Sequence, residues 1–281
     1  MSDYRTLQIA IEGYSVSALE SGNPGGLPVI ALHGWLDNAA SFKALDEFLS
    51  GIRLISLDLI GHGKSSHRPS GMPYHIWDNV TDLEAIISSL GLDQVNLIGH
   101  SMGASIAMLF AGAFPGRVNR LMCIEGLAPL SYPVQELPQL FASALVKRSK
   151  MSSRTLKPYS NREAALAARM NGRWPVGREA AENLLERGLV RTTDGFTWSH
   201  DPKLMMPSLV RFSPEQIRSF IRSVKAKTVV IKASGGADHL IDEWIDDLEN
   251  AELKEMSGGH HLHMEPQIAK DIATIINSWV M

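Results

Sequence analysis

The sequence predicts an α/β protein, a mostly parallel sheet with helices on both faces and one long helical insertion. Three observations point to it. Short β-branched and Leu-rich runs alternate with longer stretches of helical apolar spacing, the pattern of strands joined by crossover helices. A Gly-x-Ser-x-Gly pentapeptide at 99–103 stands between one such run and one such helix. From 127 to 224 the alternation stops, and a helical stretch broken by Pro129, Pro133, Pro138, Pro158, Pro175, Pro202, Pro207 and Pro214 takes its place.

The elements follow in order. Residues 7–11 and 14–19 flank Gly13 and read as an antiparallel pair. Short buried strands are expected at 29–32 and 54–57, with a helix over 41–49 between them. Between 78 and 90, Val80, Leu83, Ile86, Ile87 and Leu90 recur at helical spacing, and Gly91 ends that helix. A strand at 95–98, a helix over 104–113 stopped by Pro115, and a strand at 121–124 come next. No strand is expected within 127–224. Strand patterning returns at 228–231 and weakly around Leu253, and a last helix covers 267–280. The expected organisation is therefore a core domain of 1–126 and 225–281 with a cap over 127–224. So long an excursion is usually functional.

At 281 residues, 44% hydrophobic and 20% charged, the chain has the composition of an ordinary globular protein. A formal charge of -3 leaves no electrostatic footprint for nucleic acid or an anionic membrane. No apolar run approaches the roughly 20 residues that span a bilayer, and residues 1–12 lack the apolar block of a signal peptide. The single cysteine, Cys123, excludes an intramolecular disulfide. A cytoplasmic protein is the expectation.

The pentapeptide Gly99-His100-Ser101-Met102-Gly103 follows an apolar run and opens a helix. That context suits a sharp strand-to-helix turn holding a reactive serine, where side chains two residues either side would collide with neighbouring elements. The N–H of Met102, at the helix N-terminus, is a natural donor to developing negative charge. A second donor is expected from His33-Gly34-Trp35-Leu36 after the 29–32 strand, and Trp35 N–H is the candidate, since Gly34 permits close approach.

A serine hydroxyl needs a base. Of the ten histidines, His62 sits in a turn after a strand, and His100 is expected to point away from the bend. His67, His75 and His200 lack supporting context. Ser257-Gly-Gly-His-His-Leu-His263 is a Gly-rich loop between the last strand and the last helix, where the base belongs in the order Ser, Asp, His. His260 is the choice and His261 the second. A metal is not expected there, because no matched Cys, Asp or Glu spacing accompanies the cluster. Asp238, in the loop after the 228–231 strand, is preferred as the acid that orients the imidazole. Glu125, ending the 121–124 strand on the same sheet edge, is its rival. Asp242 and Glu243 read as first-turn helix carboxylates.

These residues together resemble the α/β-hydrolase superfamily, and within it the serine hydrolase-like proteins. The similarity lies in His33-Gly-Trp-Leu-Asp-Asn38, in 58–65, in 99–103 and in Gly258-Gly-His-His-Leu-His-Met-Glu265. The resemblance implies an eight-stranded, mostly parallel sheet with a helical cap over the strand C-termini. It also implies a Ser101, His260 and Asp238 triad with Trp35 and Met102 as oxyanion hole. One departure is the acid loop, which reads Ser-Gly-Gly-Ala-Asp, longer and richer in glycine than the usual turn. Some dehalogenase and luciferase relatives carry a glutamate where Glu125 stands.

The expected function is hydrolysis of a carboxylic ester through an acyl-enzyme, with no cofactor. The expected partner is a small-molecule substrate with an apolar acyl group, and neither nucleic acid nor membrane. Leu36, Leu127, Leu130, Leu137 and Phe141 are candidate pocket walls. The alternatives are cleavage of a C–C, amide or thioester bond by the same triad, or a ligand-binding module with vestigial activity.

Overall fold

The computed structural model describes residues 4–151 and 156–280. Ten strands are described: β1 (Arg5–Ile11), β2 (Tyr14–Gly22), β3 (Leu27–Leu32), β4 (Ile52–Leu57), β5 (Val95–His100), β6 (Val118–Ile124), β7 (Leu189–Thr192), β8 (Gly195–Trp198), β9 (Lys227–Gly235) and β10 (Ala251–Gly259). Eight of them form one sheet in the order β1-β2-β4-β3-β5-β6-β9-β10. β2 runs antiparallel to both β1 and β4, and every other pairing in that sheet is parallel. The eight-stranded, mostly parallel arrangement is the expected one.

The central strands are apolar at nearly every position because both sheet faces are covered. Ile30, Leu32, Ile55, Leu57, Leu97 and Leu121 point to one face. There they meet α2 (Ile76–Ser89), α3 (Met102–Ala113) and α7 (Pro214–Ser223). Val29, Ala31, Leu54, Ile98, Met122 and Ile231 point to the other, against α1 (Lys43–Asp46) and α8 (Pro266–Val280). The helix expected over 41–49 is cut to the four residues of α1, preceded by a 3₁₀ turn at Ala39–Phe42. Asn38 caps that turn, accepting from the Ala40 N–H.

Between β6 and α7 the chain builds α4 (Leu137–Met151), α5 (Arg162–Met170) and α6 (Arg178–Gly188), then the antiparallel hairpin β7–β8. The hairpin corrects the expectation of a strand-free insertion. Its signal was present as Asp194-Gly195 between Val190 and Phe196, with Gly195 at φ +131°. Tyr159 adds a single bridge to Phe196. This insertion has its own small core of Ala165, Leu166, Ala181 and Leu185, on which Tyr159, Met170 and Trp198 pack. α7 was expected within the insertion, yet Ile217 and Ile221 belong to the main core. The helix is sharply amphipathic and opens on a Ser213 capping box with Pro214 in its first turn.

Among the described residues, two largely buried ion pairs help bind the insertion to the core, besides an exposed one between Lys43 and Glu186. Arg187 of α6 grips Asp58, just beyond β4, through two bonds of 2.9 Å, and both residues are buried. Arg169 of α5 reaches Asp37 at 2.9 Å.

Candidate functional site

In chain order β3 leads to β4 on one side of itself, while β5 lies on the other, so the strand order reverses between β3 and β5. Ligands of open α/β sheets bind in the crevice at such a reversal, beyond the strand C-termini. The 33–36 turn leaves β3 there and Ser101 leaves β5 beside it, with Leu32 and Gly99 paired in register.

Ser101 is held at φ +52°, ψ -113°, a strained conformation for a residue with a side chain. The bend is tight because its neighbours permit nothing larger than glycine. A Cβ on Gly99 would collide with the Gly103 carbonyl and Ala104, and one on Gly103 with the Leu32 and His33 carbonyls. The strain presents the Ser101 side chain to the crevice, 3.0 Å from His260 Nε2. His260 follows β10, whose pairing with β9 shifts register between Met256 and Gly259.

The other imidazole nitrogen, Nδ1, lies 3.0 Å from Glu125 Oε2. Asp238 does not reach the imidazole: its side chain is 57% exposed and lies 3.7 Å from Lys232 Nζ. The expected contact of Asp238 with the imidazole is thus corrected: the carboxylate that meets His260 is that of the rival, Glu125. The physical reason lies in the Gly-rich loop after β9. Its backbone wraps the Glu125 carboxylate, with Ala233 N–H donating to Oε1 at 2.5 Å and Ala237 N–H to Oε2 at 2.9 Å. A Cβ on Gly236 would collide with that carboxylate. The loop expected to supply an acid instead supplies donors to one. Glu125 is itself at φ +54° and fully buried. Three donors on a buried carboxylate keep its charge satisfied.

His100 does point away from the cavity, and it has a definite partner. Buried beneath the site, its Nε2 lies 2.8 Å from the His260 carbonyl oxygen and so fastens the loop that carries His260. His263 packs on it with ring centroids 4.1 Å apart. Burial holds His100 and His263 well below the ordinary imidazole pKa, so both are neutral. The second choice for the base, His261, faces elsewhere, with Nε2 3.1 Å from Asp37 Oδ2 and 3.1 Å from Arg169 Nη2. Burial alone would raise the Asp37 carboxyl, but His261 and Arg169 hold it well below the carboxylate range. Asp37, His100 and His261 bring one ligand atom each within 4.8 Å of one another. The Arg169 guanidinium already occupies the place of a cation there, so a metal does not fit.

The site opens into a cavity of about 460 Å³, and Ser101, His260, Trp35 and Met102 all line it. The two residues expected to supply oxyanion donors thus share a cavity with the hydroxyl. Of the expected pocket walls only Leu130 lines it. Leu127 is packed in the core with its N–H bonded to the Leu240 carbonyl. Leu36 is partly buried at φ +64° within the 33–36 turn, and Leu137 and the exposed Phe141 lie on α4. The apolar walls come instead from Trp77, Leu204, Met205, Val210 and Phe212. Sequence reasoning also missed Trp174, whose ring sits 4.6 Å from that of His260. The only sequence signal was that it is one of two tryptophans, with Trp198, in a proline-broken stretch.

Comparison with known proteins gives a consistent picture. A family described as alpha/beta hydrolase fold matches residues 28–265. A serine hydrolase-like protein of Dictyostelium discoideum is 28% identical over 84% of this chain and 70% of its own length. Human serine hydrolase-like protein 2 is 28% identical over 98% and 93%. The crystal structure of a hypothetical protein from Pseudomonas aeruginosa PAO1 superposes with a TM-score of 0.93 and 36% identity, covering 98% of this chain and 99% of that one.

Proposed function

The chain belongs to the α/β-hydrolase family, and on that premise we propose that it is a serine hydrolase that cleaves carboxylic esters through an acyl-enzyme. The observation that carries this reading is the continuous hydrogen-bond path from Ser101 through His260 to Glu125, with 3.0 Å at each step. Glu125 accepts from Nδ1–H, which leaves the Nε2 lone pair facing the serine hydroxyl. The base is thus held in the tautomer the chemistry needs.

In the first step Ser101 Oγ bonds to the substrate carbonyl carbon as its proton passes to His260 Nε2. The resulting imidazolium is stabilised by the Glu125 carboxylate. The oxyanion rests on the N–H groups of Met102 and Trp35, fixed donors that need no reorganisation. The C–O bond to the alcohol then breaks, and the alcohol oxygen takes the proton from His260. Water repeats the sequence, losing its proton to His260 and releasing the acid from Ser101. The insertion between β6 and α7 acts as the cap that shields these steps from solvent. Trp174 covers the imidazole from that side.

A fluorophosphonate probe tests the reading. The native protein is expected to be labelled at Ser101 and to hydrolyse short-chain 4-nitrophenyl esters, with both signals lost in Ser101→Ala. An unlabelled, inactive but folded native protein would overturn it.

A further inference from the structure

The cavity over Ser101 has an asymmetric charge. Its lining includes two guanidinium groups, Arg173 and Arg211, and among the described residues no aspartate or glutamate. Both arginines belong to the insertion, where, among the described residues, three others are neutralised by carboxylates while Arg148, Arg162 and Arg191 are not. Arg169 pairs with Asp37, Arg178 with Glu163 and Glu182, and Arg187 with Asp58.

Arg173 and Arg211 differ. Among the described residues neither has a carboxylate within ion-pair distance; each instead lies over an aromatic ring. The Arg173 guanidinium carbon is 5.5 Å from the Trp174 centroid, and that of Arg211 is 4.3 Å from the Tyr132 centroid. Stacking restrains a guanidinium and leaves the N–H groups along its edge available to an acceptor. Trp174 is also the ring that packs on His260, so Arg173 lies over a ring that itself touches the imidazole. His62 adds to the asymmetry. It is buried and lines the same cavity. As a neutral imidazole it offers one N–H.

Arg173, exposed at the rim, and the half-buried Arg211 thus give the cavity that holds Ser101 two cations with no carboxylate in its lining. We infer that the ester substrate bears an anionic group, a carboxylate or a phosphate, which Arg173 and Arg211 bind while apolar walls take the rest of the molecule. This deepens the proposed ester hydrolysis and rests on it. Planar guanidinium forks suit either oxyanion.

Matched substrates test the inference. Mono(4-nitrophenyl) adipate is compared with its methyl diester, and 4-nitrophenyl 6-phosphonohexanoate with its dimethyl phosphonate. The native enzyme is expected to favour at least one anionic ester at least tenfold in kcat/KM, chiefly through KM, and the favoured pair tells carboxylate from phosphate. In the Arg173→Gln/Arg211→Gln variant that ratio is expected to fall to about one. Calorimetry on Ser101→Ala measures the same preference without turnover, and a tenfold tighter Kd for the anionic ester is expected. Equal affinity of Ser101→Ala for both members of each pair, or a preference that survives in the double variant, would overturn the inference. Hydrolysis of the neutral esters with no anionic preference would defeat it while leaving the proposed function standing. Tight anion binding without fluorophosphonate labelling would do the reverse.

Discussion

Glu125 is the residue whose assignment changes most with the structure, and its surroundings make a sharp prediction. Its carboxylate accepts from His260 Nδ1 and from the Ala233 and Ala237 N–H groups, whereas Asp238 stands exposed beside Lys232. Glu125→Gln would present an amide where the imidazole needs an acceptor, favouring the wrong tautomer. We expect kcat for a 4-nitrophenyl ester to fall by roughly three to four orders of magnitude. Asp238→Asn should stay within about twofold of the native enzyme, and a large loss there would restore the acid to the loop. Ser101 and His260 could be singled out in the sequence because each sits in a local glycine pattern that dictates its backbone. The carboxylate that meets His260 could not be, because two carboxylates leave neighbouring parallel strands, β6 and β9, on the same edge. Which one turns inward depends on contacts more than 100 residues apart in the chain.

At the scale of elements, the attachment of α5 to the sheet is the feature most open to measurement. Arg169 bonds Asp37 at 2.9 Å and lies 3.1 Å from His261 Nε2, the residue after the base. Both partners of this pair are largely buried. Removing the cation alone leaves a buried carboxylate with only His261 to balance it, which is worse than removing both charges. Arg169→Gln is therefore expected to lower unfolding stability by about 2 kcal/mol, read by urea denaturation. Asp37→Asn/Arg169→Gln should recover part of that loss, and a double variant as unstable as the two single losses added would count against the pair. The hairpin β7–β8 marks where sequence reading stops at this scale. Four-residue strands with exposed or half-exposed side chains have too little apolar alternation to stand out, although Asp194-Gly195 announced the turn.

The molecule as a whole carries an unusual load of buried imidazole. His33, His62, His100 and His263 are all fully or almost fully buried, and burial is the main reason their pKa values lie below the usual 6.5. They stay neutral in the fold, while in the unfolded chain they bind protons once the pH drops under that value. Stability is thus fully present above about pH 6.5 and declines as the medium becomes more acidic, by about 1.4 kcal/mol per pH unit for each histidine still neutral in the fold. Asp37, held below its ordinary 3.8, adds a second loss only at pH under that value. Urea midpoints between pH 8 and pH 5 check this, and a flat profile across that interval would contradict the neutral state of these rings.

What the sequence determined by itself was whatever depends on neighbours along the chain. The alternation of apolar runs and helical spacing specified the layered sheet, since a strand buried on both faces must be apolar throughout. The glycines around Ser101 specified the bend, since the Leu32 and His33 carbonyls leave no room for a side chain at Gly103. Only the tertiary structure decided what several segments build jointly. It selected Glu125 over Asp238, brought Trp174 onto the base, replaced most of the expected pocket walls, and left Arg173 and Arg211 facing the cavity without carboxylates. Each of those outcomes turns on distances between residues far apart in sequence, and local patterning carries no information about such distances.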